Sequence, residues 1–102
     1  MSRIEPLKAL IAQDPANTRY RFMLAMEYRS AGDSASAIGA LEELTAIDPN
    51  YVSAWFQAGQ ICEQDGDIER ARHYYKAGVD CARRIGDAHA LSEIQAALDL
   101  LG

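Results

Sequence analysis

Two turn-forming dipeptides, Asp14-Pro15 and Gly32-Asp33, recur as Asp48-Pro49 and Gly66-Asp67, each displaced by 34 positions. At the same offset Phe22 matches Phe56, Ala37 matches Ala71, Leu7 matches Leu41 and Leu10 matches Leu44. One repeated dipeptide could arise by chance. A common offset across turns, small residues and apolar positions is the mark of one structural unit used again. This periodicity constrains the fold more than any single motif, because every element must then be readable twice.

The spacing inside each copy is helical. Phe22, Leu24, Ala25 and Tyr28 cover a broad helical face, and Gly32 should end that helix with a left-handed residue free of side-chain clash. Asp33 follows as an N-cap for a second helix with the apolar stripe Ala37, Ile38, Leu41, Leu44 and Ile47. Pro49 stops it, having no N–H to donate and disfavouring helix at Asp48. The second copy repeats the scheme. A helix from about Val52 to Gln64 ends at Gly66, and Asp67 caps another that carries Tyr74, Tyr75 and Val79. Each copy is a helical hairpin. "DPNYVSAWF" is the junction between them.

A chain of 102 residues suits one domain. With 49% apolar and 25% charged residues it has an ordinary globular composition. No apolar run nears the roughly 20 residues that span a bilayer, and "MSRIEPLKAL" lacks the features of a secretory signal. The expectation is a soluble, cytoplasmic protein without a membrane partner. Cys62 and Cys81 match no disulfide framework or metal spacing and read as reduced, buried small hydrophobes. A net charge of −5 argues against nucleic acid as a partner, since phosphate binding needs a dense basic footprint.

The residues now carry a family resemblance. The second copy reads Trp55-x2-Ala58-Gly59-x2-Cys62 and then Ala71-x3-Tyr75. The first reads Arg21-x2-Leu24-Ala25-x2-Tyr28, then Ala37-x3-Leu41, then Pro49. Both resemble the tetratricopeptide repeat, with its W-x2-L-G-x2-Y, A-x3-F and P pattern on a 34-residue period. The first copy has Arg21 at the tryptophan position, with Tyr20 beside it as a substitute ring, and the second has Arg83 where the closing proline would stand. The small residues Ala25, Gly59, Ala37 and Ala71 should let paired helices approach closely. The resemblance implies an all-α fold, a short right-handed α-solenoid of antiparallel hairpins with about six helices. Its parts are an N-terminal half-repeat helix in 1–15, repeats at 18–51 and 52–85, and a C-terminal capping helix at 87–101. Leu91, Ile94, Leu98 and Leu101 would form that last helix's apolar face, with Asp87 as its N-cap. Without the proline, the helix before it should run long, from Asp67 to Arg84.

Fold alone does not give chemistry. The resemblance implies a protein-interaction module whose first helices line a concave face. Residue by residue, that face comprises Arg19, Phe22, Met23, Met26 and Arg29, then Ser53, Phe56, Gln57, Gln60 and Glu63, with Ala90 and Ile94 added by the terminal helix. Phe22, Met26 and Phe56 would make an apolar floor flanked by Arg19 and Arg29, suited to an amphipathic segment with acidic groups. The same residues would equally serve as packing beneath a terminal helix or a second copy of the chain. Family members that grip acidic chaperone tails use a lysine and two asparagines where this chain has Phe22, Met26 and Gln57. That carboxylate clamp is missing.

No catalytic constellation assembles. His73 and His89 have no partner histidine at i+4, no HExxH and no cysteine at ligand spacing. Glu42 and Glu43 are adjacent rather than on one helical face, and "AGDSASAIGA" has neither GxGxxG nor a phosphate-cradling lysine. Gly39 inside that stretch suggests a close helix crossing. Arg70, Arg72, Lys76, Arg83 and Arg84 should pair with Glu69 and Asp80 along an exposed helix. No enzyme, cofactor or metal is expected. The partner is a protein or peptide, with a self-associating assembly protein as the alternative.

Overall fold

The computed structural model describes residues 2–102. Six helices follow in order: α1 (Ile4–Gln13), α2 (Thr18–Ser30), α3 (Ser34–Ile47), α4 (Val52–Gln64), α5 (Ile68–Ile85) and α6 (Ala88–Leu100). There is no strand among the described residues, and no helix is long and apolar enough to cross a membrane. The helices group into two compact units, one ending at Asp48 with α1 to α3 and one starting at Pro49 with α4 to α6.

Local chemistry explains the boundaries. Asp33, Asp67 and Asp87 each accept a hydrogen bond from the backbone N–H three residues on, at 3.1, 3.2 and 2.9 Å. Each thereby satisfies one orphan donor of its helix start. Asn17 does the same for α2, taking the Tyr20 N–H at 3.0 Å. The turns ahead of α3 and α5 are copies: Gly32 and Gly66 have φ of 78° and 79°. Asp33 and Asp67 then donate N–H bonds of 2.9 Å back to Tyr28 and Cys62. Without a proline at 83, α5 continues until Gly86, where a left-handed residue of φ 74° ends it.

In the N-terminal unit α2 packs on both α1 and α3. Its core is Leu7, Ala25, Ala37, Ile38, Ala40, Leu41 and Leu44, all buried. Of the expected α2 face only Ala25 is buried; Phe22, Leu24 and Tyr28 are half-buried, because the single methyl is what lets the neighbouring helices come near. Ile47 was expected in the α3 stripe but is exposed, since the helix ends there and the proline turn leads away. Gly39 marks no helix crossing: a Cβ there would meet nothing within 4 Å.

In the C-terminal unit α5 packs on α4 and α6. Gly59 is a close-approach site, since a Cβ would overlap the Tyr75 ring. Gly78 is another, with a Cβ placed 3.2 Å from Ile94 Cδ1 and 3.3 Å from Trp55 Cβ. Ile94 is 1% exposed and is therefore core, not part of an open face. Its companions Leu91, Leu98 and Leu101 are only half-buried. Cys62 and Cys81 are buried free thiols.

The proline turns show how the signature position works. Trp55 Nε1 donates to the Pro49 carbonyl at 3.0 Å, and Arg21 Nε donates to the Pro15 carbonyl at 2.8 Å. The guanidinium thus supplies the missing indole's bond itself, and Tyr20 is not needed for it. Arg21 Nη1 also pairs with Glu43 at 3.1 Å, at a position where the second repeat has Ala77. Two arginines of α5, Arg72 and Arg84, act as long-reach ties, while Arg70 bonds the Tyr74 hydroxyl one turn on. Arg84 Nε donates to Asn50 Oδ1 at 2.8 Å and its Nη2 to the Pro49 carbonyl at 3.2 Å. Arg72 Nη1 donates to the Gly102 carbonyl at 2.8 Å, while its contact with Glu69 is a loose 3.9 Å.

Candidate functional site

The ten residues expected on the partner-binding face divide between the units. Arg19, Phe22, Met23, Met26 and Arg29 lie on α2, and Ser53, Phe56, Gln57, Gln60 and Glu63 lie on α4. None of them is buried. Arg19, Met23, Ser53 and Glu63 are exposed, and the others are half-buried. Helical geometry accounts for this. At 100° per residue, Phe22 and Arg29 lie within about 60° of Ala25 and Met26 about 100° from it, so all three flank the buried stripe of α2 rather than sharing its centre. Ala90 is half-buried on α6.

On the C-terminal unit the structure brings two of the ten into one concavity. Gln60 and Glu63 line a cleft of about 220 Å³ together with Gln64, Tyr75, Ala97 and Leu100. Tyr75, 1% exposed, forms part of its wall; its hydroxyl donates to Glu63 Oε1 at 2.7 Å and its ring meets Phe56 with centroids 5.9 Å apart at 49°. A buried phenol needs such a partner. The bond orients Glu63 along the cleft edge, and Gly59 makes room for the ring. Leu100 is 87% exposed, the most water-exposed large apolar side chain described. Sequence reasoning missed Tyr75, Ala97 and Leu100 as lining residues. Tyr75 sits at the A-x3-F position, which reads as core, and Leu100 falls outside the Leu91–Ile94–Leu98–Leu101 stripe.

On the N-terminal unit, Phe22 and Met26 are half-buried on α2, with Arg19 and Arg29 on the same side of the helix. Glu27, adjacent to Met26 in sequence, pairs with Arg3 at 3.7 Å. The histidines stand apart from these surfaces. His73 packs edge-on against Tyr74 at 5.2 Å, and His89 faces Glu93 at 3.8 Å across one helical turn. No group of three His, Cys, Asp or Glu residues among those described could hold a metal ion.

Two helical hairpins with copied caps and turns, each with its first helix carrying a partly exposed face, define a helical-repeat protein. A tetratricopeptide-repeat family model matches residues 22–88, and the chain belongs to that family. It is 30% identical over 69 residues to the tetratricopeptide repeat and J domain-containing co-chaperone DNJ1 of Cryptococcus neoformans. That match covers 68% of this chain and spans only 13% of the relative's length. Among solved structures, protein BPP2914 of Bordetella parapertussis is 30% identical with a TM-score of 0.84, covering 99% of this chain and 88% of that one. A tetratricopeptide repeat domain protein from Salinibacter ruber is 31% identical with a TM-score of 0.80, covering 86% and 89%. The translocator chaperone SycD of Yersinia enterocolitica, solved with a peptide of YopD, shares the fold at 17% identity and a TM-score of 0.83, covering 93% and 73%.

Proposed function

We propose that the chain is a protein–protein interaction adaptor that takes a peptide or partner helix on the concave-face residues of its first helices, α2 in one unit and α4 in the other. Arg19, Phe22, Met23, Met26 and Arg29 would act on the first helix and Ser53, Phe56, Gln57, Gln60 and Glu63 on the second. The observation that carries this reading is the Gln60–Glu63 cleft, walled by a ring that Gly59 admits and bordered by the nearly bare Leu100. A concave, mixed apolar and polar site next to an unshielded leucine suits an apolar anchor with a hydrogen-bonding backbone. Arg19 and Arg29 on α2 favour acidic groups in the partner. The SycD structure, in which a protein of this fold holds a peptide of another protein, supports the mode.

A site this short should bind on the order of micromolar, because ordering a peptide consumes much of the contact energy. The test compares proteins captured from native lysate by the wild type and by a Phe22→Ala/Phe56→Ala variant, with each candidate then re-bound as purified protein. A partner lost by the variant and re-bound by the wild type supports the adaptor. Identical sets on both remove it. The alternative, self-association through the Leu100 end, predicts a dimer mass that Leu100→Glu abolishes.

A further inference from the structure

The 34-residue register reverses the charge at the end of the first helices. Where α2 has Met26, Arg29 and Ser30, α4 has Gln60, Glu63 and Gln64. The last turn of α2 thus carries a cation, and the last turn of α4 carries none. Those three α4 residues form the polar lining of the cleft of about 220 Å³. Its aliphatic lining is Ala97 and Leu100, in the last turn of α6, which also lacks a basic residue. A helix C-terminus bears partial negative charge and favours a cation. Two such ends border this cleft, with a carboxylate on its rim.

The Tyr75 hydroxyl engages Glu63 Oε1 at 2.7 Å, which orients the carboxylate and leaves Oε2 without a cation among the described residues. The arginines of the adjoining part of α5 are engaged elsewhere. Arg70 bonds the Tyr74 hydroxyl, and Arg72 bonds the Gly102 carbonyl and contacts Glu69. Neither they nor Lys76 lines the cleft. We propose, resting on the adaptor reading, that the cleft takes a lysine or arginine side chain of the partner polypeptide, with its aliphatic stem on Ala97 and Leu100 and its charge on Glu63. Other side chains fit worse. A neutral apolar one would strip water from the carboxylate and offer it no partner. An acidic one would meet like charge and two negative helix ends. A cation on a long stem suits both linings, because its methylenes cover apolar surface while its head stays at the polar rim.

The test titrates acetyl-Ala-Lys-Ala-amide into the ¹⁵N-labelled full chain, with norleucine or glutamate replacing the lysine in two control peptides. The lysine peptide should give saturable shifts of the Gln60, Glu63, Gln64, Ala97 and Leu100 amides, with a Kd on the order of 1 mM. The norleucine peptide should bind about five-fold more weakly, the upper scale of an exposed ion pair, and the glutamate peptide more weakly again. Added salt should weaken the lysine peptide and leave the norleucine peptide unchanged. Glu63→Gln, whose amide oxygen still accepts from Tyr75, should bring the lysine peptide down to the norleucine level. Glu63→Arg, which installs the first repeat's residue, should reverse the order of the lysine and glutamate peptides. Absent shifts with the lysine peptide, or an undiminished lysine response in Glu63→Gln, would overturn the proposal. Equal saturable binding of the lysine and norleucine peptides would also overturn it while leaving the adaptor standing. Failure of the adaptor itself is read from the lysate comparison through Phe22 and Phe56, neither of which lines the cleft.

Discussion

The hairpins α2–α3 and α4–α5 are built on one register yet solve their packing in opposite ways. In the first, the close-packing positions hold Ala25 and Leu41; in the second, the same positions hold Gly59 and Tyr75. All four are buried. A methyl faces a medium side chain in one unit, and a hydrogen faces a large one in the other. The signature position differs likewise: a neutral indole in α4, and in α2 a guanidinium that keeps the same carbonyl bond and adds an acidic partner. What the repeat conserves physically is the bond and the summed volume, not the residue. Gly39 and Ala40 line a cleft of about 420 Å³ together with Leu24 and Tyr28, at positions where the second repeat has His73, Tyr74, Ala58 and Cys62.

The comparison breaks most visibly at Tyr75. Tyr75→Ala should cost about 4 kcal/mol in chemical denaturation, since it removes a buried ring and leaves a cavity. Gly59→Ala should cost about 2 kcal/mol by forcing the ring aside, despite the gain in helix propensity. Adding Tyr75→Leu to it recreates the Ala–Leu pair of the first repeat. The double variant should then be more stable than Gly59→Ala alone, a non-additivity read from a double-mutant cycle. Additive losses would show that the register pairs are not interchangeable.

At the cap level the hairpins are alike, which sharpens the comparison with smaller effects. Asp87→Ala should lower stability by about 1 kcal/mol, measured by thermal unfolding. Glu43→Ala, removing an ion pair whose acidic side chain is 71% exposed, should cost under about 1 kcal/mol and be weaker still in high salt. Hydrogen bonds from the Ser36 side chain and backbone N–H hold the Asp33 carboxyl below its ordinary value of 3.8. A depressed folded-state pKa gives stability that is present above 3.8 and lost as pH falls through the lower folded value. Asp33→Asn should therefore keep the cap while flattening that part of the acid unfolding curve.

Much of the fold was legible beforehand because caps and turns are local. Asp33, Asp67, Asp87 and the glycines preceding them act on N–H groups within a few residues, so their spacing alone marks where helices start and stop. Apolar stripes were less reliable. Ile47, Phe22 and Leu91 have the right period, but exposure depends on which neighbour reaches them. Of the candidate face, the identity of the first-helix residues could be read from the motif. The lining by Tyr75 of α5 and by Ala97 and Leu100 of α6 could not, because the cleft they share with α4 joins three helices.

The sequence by itself determined the helical hairpins, the turns at Gly32-Asp33 and Gly66-Asp67 and the family, since hydrogen bonds of fixed sequence separation and a 34-residue echo carry that information. Only the tertiary structure decided which small residues signal contact and which signal space. Gly59 is filled by a ring and Gly39 by nothing, although both are glycines within helices. The difference lies in the side chains that distant segments deliver, and no local pattern records their volume.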